Sequence, residues 1–346
     1  MIKVGITGVG FMGWIHYLAY QKSTGIEISA ICTRNQQKLA GDWTSIQGNF
    51  GPPGEQVDVG SWNCHSEWES LLADENVDLV DICLPPDLHA TKAIQALQAG
   101  KHVLIEKPMA LSAQQCDEIV EAAALANRQV FVAHVLPFFP EYAFLREAVS
   151  SGEYGKLLGG HFNRVISDPT WLGDFWDAEK VGGPLIDLHV HDAHLIRVLF
   201  GMPKRLQCRA RLRGDVVEYG NTHFEFADQD LVVTASSGVI GQQGRSFMHS
   251  YEVHFEKATI QFSFAALADE PEVSPLKIFD HSGQVLRPDL GDGDPVHSFE
   301  NEMAEVVQSL EAGRESTLLG GALARDAIIL CHRQTQSALA GMAMDV

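Results

Sequence analysis

Four short constellations in this chain have residue types and spacings suited to holding a nucleotide and moving a proton. The first, Gly8-Val9-Gly10-Phe11-Met12-Gly13, follows a β-branched run and opens an apolar helical pattern. In that context Gly8 makes a tight turn and Gly10 lets backbone approach a pyrophosphate. Gly13 lets helix and strand pack closely, with the helix N–H groups and dipole facing the anion. Gly8, Gly10, Phe11, Met12 and Gly13 therefore form the expected cofactor-binding turn. A carboxylate about 20 residues beyond such a turn would accept hydrogen bonds from an adenosine ribose. Thr33 and Arg34 stand there instead. Thr33 can donate to a phosphate oxygen, Arg34 can pair with the phosphate, and Lys38 adds positive charge. This combination favours NADP, with NAD as the alternative.

The third constellation is His102-Val103-Leu104-Ile105-Glu106-Lys107-Pro108. A lysine at the carboxyl end of a parallel strand stands in the crevice where open α/β sheets bind ligands. On the same edge the preceding strand ends in the rigid turn Pro85-Pro86-Asp87-Leu88-His89. The fourth constellation is Gly182-Gly183-Pro184-Leu185-Ile186-Asp187-Leu188-His189-Val190-His191-Asp192-Ala193-His194. On a helix, Asp187, His191 and His194 at i, i+4, i+7 share one face. A carboxylate one turn before an imidazole can fix its tautomer while the other nitrogen exchanges a proton with a hydroxyl. A metal site built from His189, His191, His194 and the two aspartates is the rival reading. No pair of these histidines has the i, i+4 spacing of the zinc-binding helix motif, so no metal is expected.

These residues need elements to hold them. Up to about residue 135, apolar β-branched runs alternate with helical patterns. The runs are Ile2–Thr7, Glu27–Thr33, Asp78–Leu84, His102–Ile105 and Gln129–His134, and the helical patterns are Phe11–Lys22, Ser66–Ala73, His89–Ala99 and Ser112–Ala126. Near-continuous apolar runs fit parallel strands covered on both faces, and their βαβα order fits a doubly wound sheet. Ser112 is the expected N-cap of the last helix and Gly100 closes the one before. Residues 41–63 hold five glycines and two prolines without a clear period. A loop of that length inside a compact domain is either functional or a decorative insertion.

After Pro137 the pattern changes. Helices are expected at 140–150 and 183–200, with a strand at 156–166 between them. Runs at 205–212, 221–227, 231–239, 250–255, 258–264 and 276–280 then read as a mostly antiparallel sheet, and helices near 298–311 and 320–339 end the chain. The expected architecture is α/β, an N-terminal Rossmann domain (1–135) followed by a C-terminal α/β domain (136–346) with a large, mostly antiparallel open sheet.

Composition sets limits. Lys plus Arg is 25 against 45 for Asp plus Glu, a formal charge of −20, which is ill suited to gripping a phosphate backbone. No nucleic-acid partner is expected. No apolar run reaches the roughly 20 residues needed to span a bilayer, so no membrane partner is expected either. Met1 begins a strand and not a signal peptide, and the six cysteines are scattered without a CxxC pair. Both features point to reduced thiols and a cytoplasmic location.

Together, Gly8–Gly13, Asp78–Pro108 and Gly182–Gly201 resemble the glucose–fructose oxidoreductase, inositol dehydrogenase and rhizopine-catabolism (Gfo/Idh/MocA) family. An Ala-Gly-Lys-His-Val…Glu-Lys-Pro run followed roughly 80 residues later by Asp-x-x-x-His is specific to it. The resemblance implies a nicotinamide cofactor in the cleft between the domains. It also implies a homodimer or homotetramer formed through the C-terminal sheet. By position it makes Lys107 the catalytic lysine, with Pro108 commonly cis, and His191 the general acid/base partnered by Asp187. Pro85 and His89 match the family's turn beside the cofactor, and Glu106 joins Lys107 in the cofactor-binding set. Three departures stand out: Pro184 in place of a third glycine, Val135-Leu136-Pro137-Phe138-Phe139 without the usual arginine or asparagine, and the longer 41–63 insertion.

The expected activity is reversible oxidation of a secondary alcohol on a sugar, polyol or inositol-like substrate. Arg164, Trp171 and Trp176, with Asp168 and Asp174, are a candidate recognition loop, alongside Lys107, Asp187 and His191 at the substrate. An NAD-dependent glycosidase using transient oxidation, and a catalytically silent nucleotide sensor, are the alternatives.

Overall fold

The computed structural model describes residues 1–291 and 293–346. The chain forms two compact units, Met1–Phe139 with Asp292–Arg325, and Pro140–Gly291 with Asp326–Val346.

In the first unit the chain runs β1 (Ile2–Thr7), α1 (Phe11–Lys22), β2 (Ile26–Cys32), α2 (Gln36–Leu39), β3 (Asn63–His65), α3 (Trp68–Leu72), β4 (Leu79–Ile82), α4 (Pro86–Gln98), β5 (His102–Glu106), α5 (Ala113–Ala126) and β6 (Val130–Ala133). Their sheet has the order β3-β2-β1-β4-β5-β6 and every pairing is parallel. Val4, Ile6, Leu79, Val80, Val103 and Ile105 are wholly buried, as a sheet covered on both faces demands. Strand order reverses between β1 and β4, so the carboxyl ends of β1, β4 and β5 flank the crevice where such sheets bind ligands. Ser112 caps α5 by accepting from the Gln115 N–H, and Gly100 takes φ +80 just after α4.

The 41–63 segment has a small core of its own. Trp43 is wholly buried, with Ile46 and Val57 nearly so, and the Trp43 Nε1–H donates to the Lys38 carbonyl at 2.9 Å. Trp14 of α1 donates through Nε1 to the Pro52 carbonyl at 2.9 Å, and its ring packs edge-on against Trp43. The insertion is therefore packed against the flank of α1.

The second unit begins with α6 (Pro140–Ser151) and β7 (Leu157–Ser167). A π turn at Leu185–His189 then runs directly into α7 (Val190–Phe200). The strands β8 (Arg205–Arg213), β9 (Val216–Glu225), β10 (Val232–Ile240), β11 (Arg245–Phe255), β12 (Ala258–Leu267), β13 (Glu272–Asp280) and β14 (Val285–Leu286) follow. After them come α8 (Pro295–Ala312), α9 (Gly321–Ala340) and β15 (Met344–Asp345). The sheet order is β14-β13-β12-β11-β7-β10-β9-β8-β15, antiparallel except where β7 lies parallel to β10. Strands β9, β11 and β13 start four or five residues ahead of their apolar runs, because their first residues pair across hairpins while partly exposed.

α8 belongs to the first unit. Phe299 packs on the His16 ring of α1 with ring centroids 5.9 Å apart, and Glu300 pairs with Lys22 at 3.1 Å. Among the described residues no helix is long and apolar enough to cross a membrane, and no cysteine is in a disulfide.

Candidate active site

The glycine turn is shaped by three different constraints. Gly8 takes φ +88, and a Cβ there would lie 2.3 Å from the Cys83 carbonyl oxygen; one at Gly13 would lie 2.4 Å from the Gly8 oxygen. Only glycine fits either position. At Gly10 an added Cβ meets nothing within 4 Å, so the middle of the turn is open. Gly10 is also the N-cap of α1, which has no side-chain cap and no acid in its first turn. A helix N-terminus with uncapped N–H groups behind an open glycine suits a diphosphate. Phe11 and Met12 are half-buried beside it, and the Phe11 ring meets Phe50 of the insertion edge-on at 4.9 Å.

At the end of β2, Thr33 is half-buried and Arg34 is exposed. The Thr33 N–H donates to the His65 carbonyl, and Thr33 Oγ1 accepts from the Asn35 N–H. Asn35 caps α2 by accepting from the Gln37 and Lys38 N–H groups. The Lys38 ammonium donates to the Val9 carbonyl inside the glycine turn, which brings a cation against the turn itself. Burial lowers its pKa.

β4 and β5 supply the next edge. Pro85 precedes α4, and His89 in its first turn is buried with Nδ1 2.7 Å from the Pro108 carbonyl and Nε2 2.7 Å from the Leu84 carbonyl. His89 thus ties the end of β4 to the turn after β5. The Lys107–Pro108 peptide is cis. Glu106, Pro108, Met109 and Ala110 are buried, whereas Lys107 between them is half-buried, so the turn presents the lysine. Glu106 Oε2 accepts from the Lys107 N–H at 3.0 Å and Oε1 lies 3.0 Å from His16 Nε2. The first unit therefore brings together Gly8–Gly13, Lys38, Pro85, His89, Glu106 and Lys107.

In the second unit Gly182 and Gly183 take φ +78 and +75. A Cβ on Gly182 would strike Ile186 at 2.5 Å, and one on Gly183 would strike Val216 at 2.7 Å. Pro184 starts the π turn that contains Asp187, and His191 lies in the first turn of α7. The expected regular helix is thus a π turn followed by an α-helix. Such wide turns often mark functional positions, and they shift which residues share a face. Within the buried run from Gly183 to Ile196, Asp187 and His191 are the half-buried residues.

The remaining histidines of the motif are buried. Burial drives the His189 imidazole down to about 4, against an opposing pull from Asp192. Asp192 is buried and takes both arms of the Arg164 guanidinium, at 2.7 Å from Nε and 3.1 Å from Nη2. Arg164 is therefore a buried clamp on α7, the helix that carries His191. Trp176 donates to Asp168 at 3.1 Å, and the Arg213 guanidinium lies 3.7 Å above its ring. Trp171 is exposed. Sequence reasoning did not single out His16, Asp81 or Arg213. A polar residue inside an apolar strand, which Asp81 is, was the one available signal.

A doubly wound sheet with an open glycine turn at a helix N-terminus defines a dinucleotide-binding α/β protein. The chain matches the Gfo/Idh/MocA oxidoreductase family, NAD-binding Rossmann fold, over residues 2–134, and the Gfo/Idh/MocA C-terminal domain over residues 142–261. It belongs to that family. An uncharacterized oxidoreductase of Streptococcus pneumoniae serotype 4 (strain TIGR4) is 28% identical over 67% of this chain and 59% of its own. Levoglucosan dehydrogenase of Pseudarthrobacter phenanthrenivorans is 27% identical over 58% of this chain and 51% of its own. A glycosyl hydrolase family 109 protein of Shewanella baltica (strain OS155) is 30% identical over 46% of this chain and 34% of its own. The chain thus spans between a third and three-fifths of the length of these curated relatives. Among solved structures, levoglucosan dehydrogenase in complex with NADH and levoglucosan superposes with a TM-score of 0.79 at 22% identity, covering 100% of this chain and 99% of that one. An oxidoreductase domain protein from Kribbella flavida reaches 0.81 at 19% identity, covering 100% and 99%. These likenesses show the fold.

Proposed function

We propose that this protein is a nicotinamide-dependent dehydrogenase that reversibly oxidises a secondary alcohol on a sugar, polyol or inositol-like molecule. One observation carries the reading: the sheet whose β1 ends in the open glycine turn also ends β5 in a buried loop that presents Lys107. Relatives named for a compact anhydrosugar make a pyranose-shaped substrate the first choice.

The residues divide the work by their chemistry. The N–H groups at the start of α1 and the open Gly10 bind the diphosphate. Arg34 and Thr33 hold a 2′-phosphate, for Thr33-Arg34-Asn35 directly after β2 include no carboxylate to repel one, so NADP is the preferred form and NAD the alternative. The nicotinamide, when bound, supplies the hydride acceptor. Lys107 donates a hydrogen bond to the substrate oxygen and stabilises the negative charge that grows there as the carbon–hydrogen bond breaks. His191 accepts the hydroxyl proton, and Asp187 orients its imidazole. Trp171 offers an apolar face to the sugar ring, as does the side of Trp176 away from Arg213, and Arg164 holds α7 in place. The resemblance to family 109 glycosidases keeps one second reading open, in which oxidation is transient and the aglycone is eliminated.

Scattered free thiols support a cytoplasmic setting. The central strands of the second unit bury Phe162, Tyr251 and Phe262 on one side and present His161, Glu252 and Gln261 on the other. That second face supports assembly into a homodimer or homotetramer. The test of function is a panel of sugars, polyols, inositols and anhydrosugars with NAD and NADP, read by absorbance of the reduced nicotinamide. Lys107→Ala should abolish turnover while cofactor binding persists; substantial turnover in that variant would overturn the assignment.

A further inference from the structure

Beneath the Lys107 turn lies a buried polar cluster that binding and proton transfer do not explain. His16 of α1 is wholly buried, with Nδ1 2.8 Å from Asp81 Oδ2 and Nε2 3.0 Å from Glu106 Oε1. Ionised carboxylates only accept hydrogen bonds, so an imidazole bridging two of them must donate from both nitrogens and carry a positive charge. Asp81 Oδ2 also accepts from the Tyr20 hydroxyl at 2.9 Å, and the Cys83 thiol lies 3.5 Å from Oδ1. Glu302 of α8, also wholly buried, faces the same cluster, and burial raises its carboxyl well above the ordinary range, toward the neutral form. The imidazolium thus sits between two carboxylates, with His16 and Asp81 wholly buried and Glu106 nearly so.

We propose that His16 and Asp81 are positioning residues for Lys107. Asp81, on β4, fixes the imidazolium; the imidazolium fixes Glu106 Oε1; and Glu106 Oε2, held in this way, accepts the Lys107 N–H. From the other side His89 grips the Pro108 carbonyl. The backbone before and after the lysine is therefore held by two buried imidazoles, which restricts where the ammonium can reach. A group aimed to within a fraction of an ångström gains on the order of 100-fold in rate over one that drifts by an ångström. A divalent ion held by His16, Asp81 and Cys83 would need a lone pair on His16, and both ring nitrogens already face carboxylates. The proposal rests on the dehydrogenase reading for the task Lys107 performs, but not for the clamp.

The test uses the full-length chain with Glu106→Gln, His16→Gln and their double variant. Glu106→Gln keeps the volume and replaces the acceptor facing His16 with an amide. Lysines are acylated with an amine-reactive ester and quantified by mass spectrometry, the other lysines in the same sample serving as reference. On the substrate found by the panel, kcat and KM are measured against pH. Each single variant should change relative labelling at Lys107 at least about threefold and lower kcat about 10- to 100-fold, and His16→Gln should do so with cofactor KM little changed. The double variant should be no worse than either single one, because both break the same link. Should His16→Gln not fold, Asp81→Asn completes the cycle. A merely structural role would lower thermal stability and leave the labelling ratio and the pH profile of kcat unmoved. That result, or losses that multiply in the double variant, would overturn the proposal. Should wild-type protein oxidise nothing on the panel, the dehydrogenase reading fails, and the labelling arm still decides the clamp.

Discussion

Asp192→Ala removes one half of a buried ion pair, and the structure sets the size of the effect. The Asp192 and Arg164 side chains retain 2% and 5% of their exposure, and two hydrogen bonds of 2.7 and 3.1 Å join them. Truncating the aspartate leaves a guanidinium in a dry interior, which costs about 3–5 kcal/mol. For a unit of this size that lowers the midpoint of thermal unfolding by roughly 6–20 °C. The same variant should lower kcat, because the residue next in sequence is His191. Arg164→Lys should not behave as a mild change, because a lysine cannot make the paired contact. The decisive comparison is Arg164→Met with Asp192→Leu. Removing both charges together should recover most of the loss, since a buried pair contributes little net stability against apolar residues of similar volume. Differential scanning calorimetry on the four proteins provides the numbers. An Asp192→Ala midpoint within 2 °C of wild type, or a double variant less stable than Asp192→Ala, would refute the argument that this pair is dry and mutually dependent.

Three further outcomes follow from the same geometry. Gly8→Ala should fail to fold or lose cofactor binding altogether, since its Cβ meets the Cys83 carbonyl at positive φ; Gly10→Ala should fold and bind NAD(P)H at least about 10-fold more weakly, read by ligand fluorescence. Arg34→Ala should weaken NADPH binding much more than NADH binding in calorimetric titrations, and equal losses would argue against phosphate recognition. Stability should fall on both sides of neutrality. His189 is depressed to about 4, so its contribution is present above the ordinary 6.5 and lost as pH falls toward 4, by about 3 kcal/mol at most. His16 shifts the other way: burial lowers it, but Asp81 and Cys83 outweigh that and raise it. Its contribution is complete below 6.5 and is lost as pH climbs through the raised value. Urea unfolding from pH 4 to 9 checks both arms, and His189→Gln should flatten the acid arm alone.

The elements of the first unit were legible because local signals and tertiary role agree there. Ile2–Thr7 and Phe11–Lys22 occur as read, since an apolar run, a glycine turn and an apolar helix suffice to specify them. Ser112 announced its cap for the same reason. What stayed hidden depends on distant partners. An arginine reads alike whether it faces a ligand or a buried aspartate 28 residues away, as Arg164 does. The packing of Phe299 on His16 carries no local mark, so the return of α8 to the first unit could not be inferred from pattern. The π turn escaped because one extra residue per turn hardly disturbs the apolar spacing of Leu185, Ile186 and Leu188. Asp81 is a charge inside an apolar strand that sequence reasoning passed over, and only the fold brings it to His16 and Glu106.

Isotope labelling reads out whether Lys107 and His191 serve direct hydride transfer from a carbinol carbon. A sugar or polyol deuterated at the reacting carbon is incubated with the protein and NADP or NAD, and the reduced cofactor is weighed by mass spectrometry. Wild-type protein should give reduced nicotinamide carrying one deuterium, and Lys107→Ala should give no reduced cofactor. Reduced cofactor without deuterium, or release of sugar from a glycoside with no net reduction, would contradict that role.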